Sequence, residues 1–143
     1  MTSPDFDPRS LISDTRLGIL ATIKQSGLPQ LSPVTCVYDR DADTIYVSMT
    51  EGRAKTANLR RDPRAAIEFT SPDGYTWATA EGTATLIGPG DDPDGAEVDA
   101  LVEYYRRGAG EHPDWDEYRQ VMVSDRRVLL VLDVSHVYGA KLR

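Results

Sequence analysis

The stretch that decides the fold is LGILATIKQSGLPQLS, residues 17–32. From Leu17 to Ile23, hydrophobic residues alternate with small or polar ones, which is the period of a strand with one buried face. The Ser-Gly-Leu-Pro sequence that follows, residues 26–29, is typical of a turn. Because a second strand pattern begins directly after it, the stretch predicts an antiparallel strand-turn-strand unit.

Further strands follow on the C-terminal side of this unit. The same criteria predict strands over residues 30–38, 44–49, 65–70, 76–86 and 128–139, and short helices over residues 9–15 and 52–61. Six strands without a repeated strand-helix-strand rhythm favour an antiparallel barrel or an α+β sheet over a doubly wound fold. The sequence therefore predicts a mainly β fold, a β-barrel with helices inserted at two points.

A helical insertion is predicted at about residues 94–124. Two sets of apolar residues recur there with helical spacing: Val98, Leu101, Val102 and Tyr105 in a first helix, and Trp115, Tyr118 and Met122 in a second. Two glycines and a proline in residues 108–113 separate the helices. Because 143 residues is the length of one ordinary domain, we expect residues 1–143 to form a single domain.

The charge of the chain argues against two classes of partner. The formal net charge is -7, whereas binding to nucleic acids or to anionic membranes needs an excess of Lys and Arg. Ten of the 23 acidic residues but two of the 16 basic ones lie between residues 91 and 117. The rest of the chain therefore has a slight basic excess, which is compatible with a small anionic ligand.

Other sequence features bear on compartment and reactivity. The single cysteine, Cys36, rules out an intrachain disulfide, favours a reducing compartment and is typical of a core residue rather than a nucleophile. His112 and His136 lack metal-binding spacing, so no metal is expected. Residues 1–10 lack a signal-peptide pattern, and no apolar run approaches the ~20 residues of a membrane span. We therefore expect a cytoplasmic protein that does not associate with membranes.

The segment around Arg53 and Lys55 is the candidate for ligand binding. Two cations follow a glycine at a strand-to-helix junction, where backbone N–H groups and the positive end of the helix dipole also favour an anion. Arginine offers a planar fork to a phosphate, and lysine adds a point charge. Arg60, Arg61 and Arg64 are expected to extend the positive surface. From these residues alone, a solvated basic face is at least as well supported as a phosphate site.

Four stretches together resemble one superfamily. They are residues 17–32 quoted above, RAKTANLRRDPR at residues 53–64, WATAEGTA at residues 77–84 and SDRRVLL at residues 124–130. In this order they are similar to the split β-barrel flavin and deazaflavin oxidoreductases, which include the pyridoxamine 5′-phosphate oxidases. The sequence more closely resembles the actinobacterial branch that uses the deazaflavin coenzyme F420. The resemblance implies a split β-barrel of the FMN-binding, pyridoxamine 5′-phosphate oxidase-like type.

The same resemblance implies a homodimer with two cofactor sites in grooves at the subunit interface. Arg53 and Lys55 would hold the cofactor phosphate, in a pocket shaped by Ala54, Thr56 and Asn58. An Arg-x-Lys motif of this kind also occurs in FMN-binding members. The motif therefore indicates a phosphate-bearing flavin or deazaflavin without deciding between them.

The resemblance also assigns residues to the ring and ribityl portion of the cofactor. They are Gln30, Ser32 and Val34 on the second strand, and Ser48 and Met49 on the third. Trp77 and Thr79 would close the groove from the other subunit. Related sequences often carry Asn where this chain has Pro33, which removes a side-chain amide and a backbone donor and implies an altered ring pocket.

The leading functional hypothesis is hydride transfer from reduced F420 to an organic substrate that the sequence does not identify. Such a cofactor carries the two-electron chemistry, so the protein needs to align the reactants, and no residue is assigned as catalytic. Solvent or Tyr138 would supply the accompanying proton. Two alternatives stay open: an FMN-dependent oxidase or reductase of the same fold, and a non-catalytic protein that binds a flavin, F420 or haem. Taken singly, Trp77 and Trp115 are typical of core or dimer packing.

Overall fold

The computed structural model describes residues 6–143. Helices and strands follow one another along these residues as α1 (Pro8–Asp14), β1 (Leu17–Ile23), β2 (Pro29–Asp39), β3 (Thr44–Thr50), α2 (Ala54–Arg61), β4 (Arg64–Thr70), β5 (Thr76–Ile87), α3 (Ala96–Ala109), α4 (Trp115–Ser124) and β6 (Arg127–Lys141). The bounds of β1 agree with the prediction. Helix α2 begins later than predicted, because Gly52 has a φ of 87° and Arg53 is extended.

The six strands close into one antiparallel barrel. Their order is β1-β2-β3-β6-β5-β4, and β4 pairs with β1 to complete the circle. Helix α2 lies between β3 and β4 in the chain, and α3 and α4 lie between β5 and β6. The predicted fold class, a mainly β barrel with inserted helices, is confirmed.

One face of each strand fills the barrel interior. On β1, Leu20 and Thr22 are buried while Leu17 and Ile19 are exposed, as the two-residue period of a strand requires. The largest fully buried side chains of the interior are Leu20, Ile45, Met49, Ile67, Phe69, Leu130 and Leu132. Burying each such side chain contributes roughly 1.5–3 kcal/mol to folding.

A β-bulge bends the longest pair of strands. The register between β5 and β6 shifts at Glu81 and Gly82. A Cβ atom on Gly82 would lie 1.9 Å from the carbonyl oxygen of Asp133, so a larger residue requires the backbone to move. The bulge increases the local twist and lets these strands curve around the barrel.

The barrel is split between β2 and β3. Among the described residues, positions 29–35 of β2 pair with β1 alone, and the β2–β3 ladder runs only from Cys36 opposite Val47 to Asp39 opposite Thr44. Residues 48–50 of β3 pair with β6 instead. A cleft therefore opens between the two strands, beside the segment that leads from β3 into α2.

Pro33 lies on the open side of this split. The backbone N–H of Cys36 donates to the carbonyl oxygen of Arg16, on the β1 side. Because backbone groups alternate in direction along a strand, those of Pro33 and Thr35 face the cleft. Proline has no N–H to donate, and at this position no β3 partner requires one. The backbone donor that Pro33 removes is therefore missing from the cleft wall and not from the barrel ladder.

The helical insertion packs on the outside of the barrel. Most of its predicted apolar positions are buried in a second hydrophobic cluster, formed by Val98, Leu101, Val102, Tyr118, Met122 and Leu129. The predicted Tyr105 and Trp115 are partly buried and pack against this cluster. All ten acidic residues of segment 91–117 are exposed. Asp114 caps α4 by accepting the backbone N–H of Glu117. Within residues 6–143, no helix combines the length and the apolar character that crossing a membrane requires.

Candidate functional site

A cleft of about 460 Å³ occupies the split between β2 and β3. It is lined by Pro33, Val34 and Thr35 of β2, by Ser48, Met49 and Thr50 of β3, and by Arg53, Lys55, Tyr104 and Arg127. Three of these side chains are cations and none is a carboxylate. The lining of the cleft is therefore positive, although the chain as a whole is acidic.

The N-terminus of α2 adds to this positive character. Arg53 occupies its N-cap without making a side-chain capping bond, and the first turn contains no acidic residue. Ala54, the first residue of the helix, is exposed. Among residues 6–143, neither Arg53 nor Lys55 forms a salt bridge. Free N–H groups, the helix dipole and two unpaired cations are thus available to one anion.

The other basic residues of this region are already engaged. Their partners are Glu51 for Arg60 at 2.6 Å, the carbonyl oxygen of Ile23 for Arg61 at 2.5 Å, and Asp62 for Arg64 at 2.7 Å. The hydrogen bond from Arg64 lowers the pKa of Asp62 to about 2. Carboxylates therefore compensate the charges of Arg60 and Arg64, whereas Arg61 bonds neutral oxygens and keeps its charge. The expectation that these arginines extend the positive surface is supported for Arg61 and stays a prediction for the other two.

Thr56 and Asn58 support α2 from its buried side. The Thr56 hydroxyl donates to the carbonyl oxygen of Thr50 at 2.9 Å. The Asn58 amide donates to the Thr22 hydroxyl at 3.1 Å and accepts from Arg61 at 3.2 Å. These bonds fix α2 against β3 and β1. Both side chains therefore lie behind the cleft and do not line it.

The residues predicted to line the ring fall into two groups. Val34, Ser48 and Met49 line the cleft, as the resemblance implies. Gln30 is used elsewhere, because its side-chain oxygen accepts the Thr22 hydroxyl at 3.2 Å in the network that contains Asn58. Ser32 is also outside the lining, although it directly precedes Pro33.

Two polar groups at the split are buried without partners. Of the described residues, Ser32 and Arg127 are the ones with a buried side-chain atom that makes no hydrogen bond, Oγ in the first and Nε in the second. Leaving such a group unpaired costs about 1–3 kcal/mol. Of the two residues, Arg127 lines the cleft, and an unpaired buried donor on a cleft wall is typical of a site that a ligand completes.

Trp77 and Thr79 lie at the opposite end of β6 from the cleft. They pair with Ala140 and Tyr138, whereas the cleft is bordered by Arg127, the first residue of that strand. Trp77 packs edge-on against Tyr138, with ring centroids 5.8 Å apart. Within one chain, Trp77 and Thr79 therefore do not reach the cleft. Tyr138 of the same chain does not reach it either, so its role as a proton donor stays a prediction that depends on a second subunit.

Sequence reasoning missed Tyr104, which reaches the split from α3. Its hydroxyl donates to the carbonyl oxygen of Thr35 at 3.2 Å, where β2 has no β3 partner. Burial raises the pKa of Tyr104, partly offset by a backbone hydrogen bond from Ser48, so the hydroxyl keeps its proton at neutral pH. The helical stripe identified the neighbouring Tyr105 and offered no signal for Tyr104.

The reactive side chains singled out in the sequence lie elsewhere. Burial raises the pKa of Cys36 to about 12, so this residue stays a thiol in the core, as predicted. His112 lies in an aromatic cluster of the insertion, and His136 stacks on Tyr138. Residues 6–143 contain no group of three or more potential metal ligands.

A second cavity, of about 420 Å³, lies on the outer face of β1, β4 and β5. Small or apolar residues such as Ala21, Ala66 and Gly82 form much of its wall. Its one lining cation, Arg64, is paired with Asp62. This cavity therefore offers much less to an anionic ligand than the cleft does.

The closed barrel with a split, and the cationic cleft along it, define the class of protein. The chain belongs to the pyridoxamine 5′-phosphate oxidase family, whose model matches residues 8–141. The match includes both strands of the split, α2 and the whole insertion.

Individual proteins are similar to this chain in sequence or in fold. The F420H2-dependent biliverdin reductase of Mycobacterium tuberculosis (strain CDC 1551 / Oshkosh) is 24% identical over 134 residues, covering 94% of this chain and 86% of that protein. A conserved hypothetical protein from Mycobacterium tuberculosis superimposes with a TM-score of 0.72 at 22% identity, over 100% of this chain and 91% of its own. An F420 reductase superimposes with a TM-score of 0.64 at 24% identity, over 93% of this chain and 97% of its own. At these identities, the solved structures establish the shared fold.

Proposed function

We propose that this protein is an F420-dependent reductase that transfers a hydride from reduced F420 to an unsaturated organic substrate. The observation that carries the proposal is the cationic cleft, in which the uncapped N-terminus of α2 and the unpaired Arg53 and Lys55 adjoin a cavity in the barrel wall. When bound, the cofactor supplies the hydride from C5 of its deazaflavin ring. The names of the mycobacterial biliverdin reductase and of the F420 reductase support this choice of cofactor.

Arg53 and Lys55 bind the cofactor phosphate in this proposal. The donor set fits a phosphate, because it combines a guanidinium fork, an ammonium charge and the free N–H groups of a helix N-terminus. Thr56 and Asn58 act from behind by holding α2 in place. The cost of the uncapped helix end is offset when an anion binds there.

The walls of the split orient the ring. Pro33 and Val34 line one side, and Ser48 and Met49 line the other. Because the side chains of Val34 and Met49 are 7% and 2% exposed and belong to the barrel core, Pro33 and Ser48 are the ones that would shield the bound ring from water. Exclusion of water favours hydride transfer within the bound pair. The hydroxyl of Tyr104 keeps its proton and acts as a hydrogen-bond donor. The proton that completes the reduction comes from solvent or from Tyr138 of the other subunit, which packs on Trp77.

A homodimer completes the site in this proposal. The outer face of β1 and β2 exposes Leu17 and Leu31 to 62% and 61%, with Ile19 between them. An exposed apolar patch of this kind is typical of a subunit interface. Trp77 of each subunit then closes the groove of the other, with Thr79, which is only 7% exposed, supporting it from behind. A mass in solution of twice the 15.8 kDa of one chain supports this arrangement, and a monomer contradicts it.

The single cysteine also bears on where the enzyme works. Cys36 is buried and remains a thiol, which suits a reducing compartment. The proposed location is therefore the cytoplasm.

A cofactor titration tests the function. Arg53→Ala and Lys55→Ala are each expected to raise the Kd for F420 about 10- to 100-fold, because each removes a charge-assisted contact. Arg60→Ala is the matched control, since this arginine is held by Glu51 and lies outside the cleft lining. Equilibrium dialysis gives the Kd, and oxidation of F420H2 with enones, quinones and linear tetrapyrroles gives turnover.

The outcomes separate the alternatives. Tight FMN binding without a response to F420 would assign the protein to the FMN-dependent members of the fold. Tight F420 or haem binding with no turnover across the substrate panel would make it a binding protein. An unchanged F420 affinity in Arg53→Ala and Lys55→Ala would contradict the phosphate site itself.

A further inference from the structure

We propose that Arg127 is a third anion-binding residue of the cleft, and that it selects a cofactor whose anionic portion carries more than one negative charge. The inference rests on the proposed function and extends it. Arg127 comes from the start of β6, a different element from the segment that carries Arg53 and Lys55. It therefore contacts the ligand from a second wall of the same cavity.

The position of Arg127 is set by the barrel. Its backbone pairs with Thr50 at the end of β3, which also lines the cleft. Its side chain is about one-third exposed, while its Nε atom is fully buried and makes no hydrogen bond with the described residues. The guanidinium thus combines a desolvated donor with a part that faces the cavity.

Within residues 6–143, no hydrogen-bond partner accounts for this arginine. The carboxylate that comes nearest to it, on Asp125, lies 3.9 Å from Nε, beyond hydrogen-bond length. By contrast, Arg60 and Arg64 hold their carboxylates at 2.6 and 2.7 Å. A buried guanidinium N–H without an acceptor is costly, and an anionic ligand in the cleft would supply the acceptor.

The number of cations indicates the kind of ligand. Arg53, Lys55 and Arg127 place three positive charges around one cavity that no carboxylate lines. A lone phosphodiester carries one negative charge, so charge matching favours a ligand with further anionic groups. F420 carries a phosphodiester followed by glutamate carboxylates, and FMN carries a phosphomonoester. Neither FO, the phosphate-free deazaflavin, nor riboflavin offers such a group.

Comparison of F420 with FO isolates this interaction. Arg127→Gln is expected to raise the Kd for F420 about 10- to 100-fold and to leave the Kd for FO within about twofold of wild type. Arg126→Gln is the matched control, because it removes the same charge from the adjacent position, which does not line the cleft. Arg127→Lys, which retains the charge, should recover part of the F420 affinity. Equilibrium dialysis provides every value.

Two results would overturn the inference. Equal losses for F420 and FO in Arg127→Gln would mean that the residue shapes the cleft without contacting the anionic portion. An F420 affinity equal to that of wild type would mean that it makes no contact. If the protein binds FMN instead of F420, the proposed function fails, and FMN against riboflavin then tests Arg127 in the same way.

Pyrophosphate, which has no ring, tests the three cations independently of the ring pocket. Pyrophosphate should raise the Tm of wild-type protein through the three cations, and this rise should be smaller in Arg127→Gln than in Arg126→Gln. No rise in wild type, or equal rises in the two variants, would also contradict the role of Arg127.

Discussion

Helices α2 and α3 begin in different electrostatic surroundings. Helix α3 has Glu97 and Asp99 in its first turn and Arg106 and Arg107 in its last, so its own side chains compensate both ends of its dipole. Helix α2 has arginines in its last turn but no acid in its first. The N-terminus of α2 therefore remains positive, whereas that of α3 is compensated within the helix.

The two helices also differ in what they bury. Helix α3 buries three apolar residues in the outer cluster, whereas α2 buries Leu59 together with the polar Thr56 and Asn58. Polar side chains hydrogen-bonded to fixed strands hold α2 in one orientation. Helix α3 is thus compensated at both ends by its own charged side chains and held by apolar packing, whereas α2 leaves its first turn available for an anion and is held by hydrogen bonds to β1 and β3.

The largest effect is expected in the apolar cluster under α3. Leu101 is 1% exposed there, so Leu101→Ala should lower the free energy of unfolding by about 2–5 kcal/mol through lost burial and a residual cavity. Urea denaturation measures the change. Val121→Ala, at a position on α4 that is 37% exposed, is the control and should cost less than about 1 kcal/mol. A loss below about 1 kcal/mol in Leu101→Ala would show that the insertion does not depend on this cluster.

An intermediate effect is expected at the N-cap of α2. Arg53→Ser supplies the capping oxygen that this helix lacks, so it should raise the free energy of unfolding by about 0.5–1 kcal/mol. The same change should weaken F420 binding, because it removes a cation and occupies a free N–H group. Denaturation and equilibrium dialysis on one preparation give both values.

The cap of α4 is the control for this substitution. Asp114→Ala removes an existing cap and should lower the free energy of unfolding by about 1 kcal/mol without changing F420 affinity. If Arg53→Ser destabilised the protein as Asp114→Ala does, the first turn of α2 would not be an unsatisfied helix end, and the contrast between the helices would fail.

The smallest effect concerns the pH dependence of stability that arises from Glu51, two residues before the N-cap of α2. A hydrogen bond from Arg60 lowers the pKa of Glu51 below its usual value of 4.5. The contribution of Glu51 to the free energy of unfolding is therefore present above its unfolded pKa and is lost as pH falls through its folded pKa. Because the side chains of Glu51 and Arg60 are both partly exposed, we expect this contribution to be less than about 0.5 kcal/mol.

Glu51→Gln measures this contribution. Its difference from wild type in the free energy of unfolding should be present at about pH 7 and low salt and should be lost at an acidic pH below the folded pKa of Glu51. A difference that is the same at both pH values would mean that the ion pair with Arg60 does not determine it.

Much of the fold could be predicted because its signals are local. The alternation from Leu17 to Ile23 and the turn that follows define β1 and the start of β2, and the structure confirms them. The stripe of Val98, Leu101 and Val102 likewise predicts the buried face of α3. The start of α2 was misplaced, because composition alone does not reveal the positive φ at Gly52.

The candidate site was predictable where one segment carries it. Arg53 and Lys55 lie side by side at a strand-to-helix junction, and the structure places both at the cleft. Tyr104 and Arg127 approach from α3 and β6, so their proximity depends on barrel closure and on the packing of the insertion. The roles of Trp77 and Thr79 stay a prediction, because they depend on contacts between two subunits.

The split between β2 and β3 also affects whether the protein can self-associate. Where β2 and β3 separate, each strand presents an unpaired edge, and an unpaired edge is a template on which another extended segment can add. Pro33 places no donor on the β2 edge, and the hydroxyl of Tyr104 occupies the carbonyl oxygen of Thr35 beside it. Together they leave the β2 edge without two of the groups that an incoming strand would need. The opening can admit a small molecule and still resist self-association by strand addition.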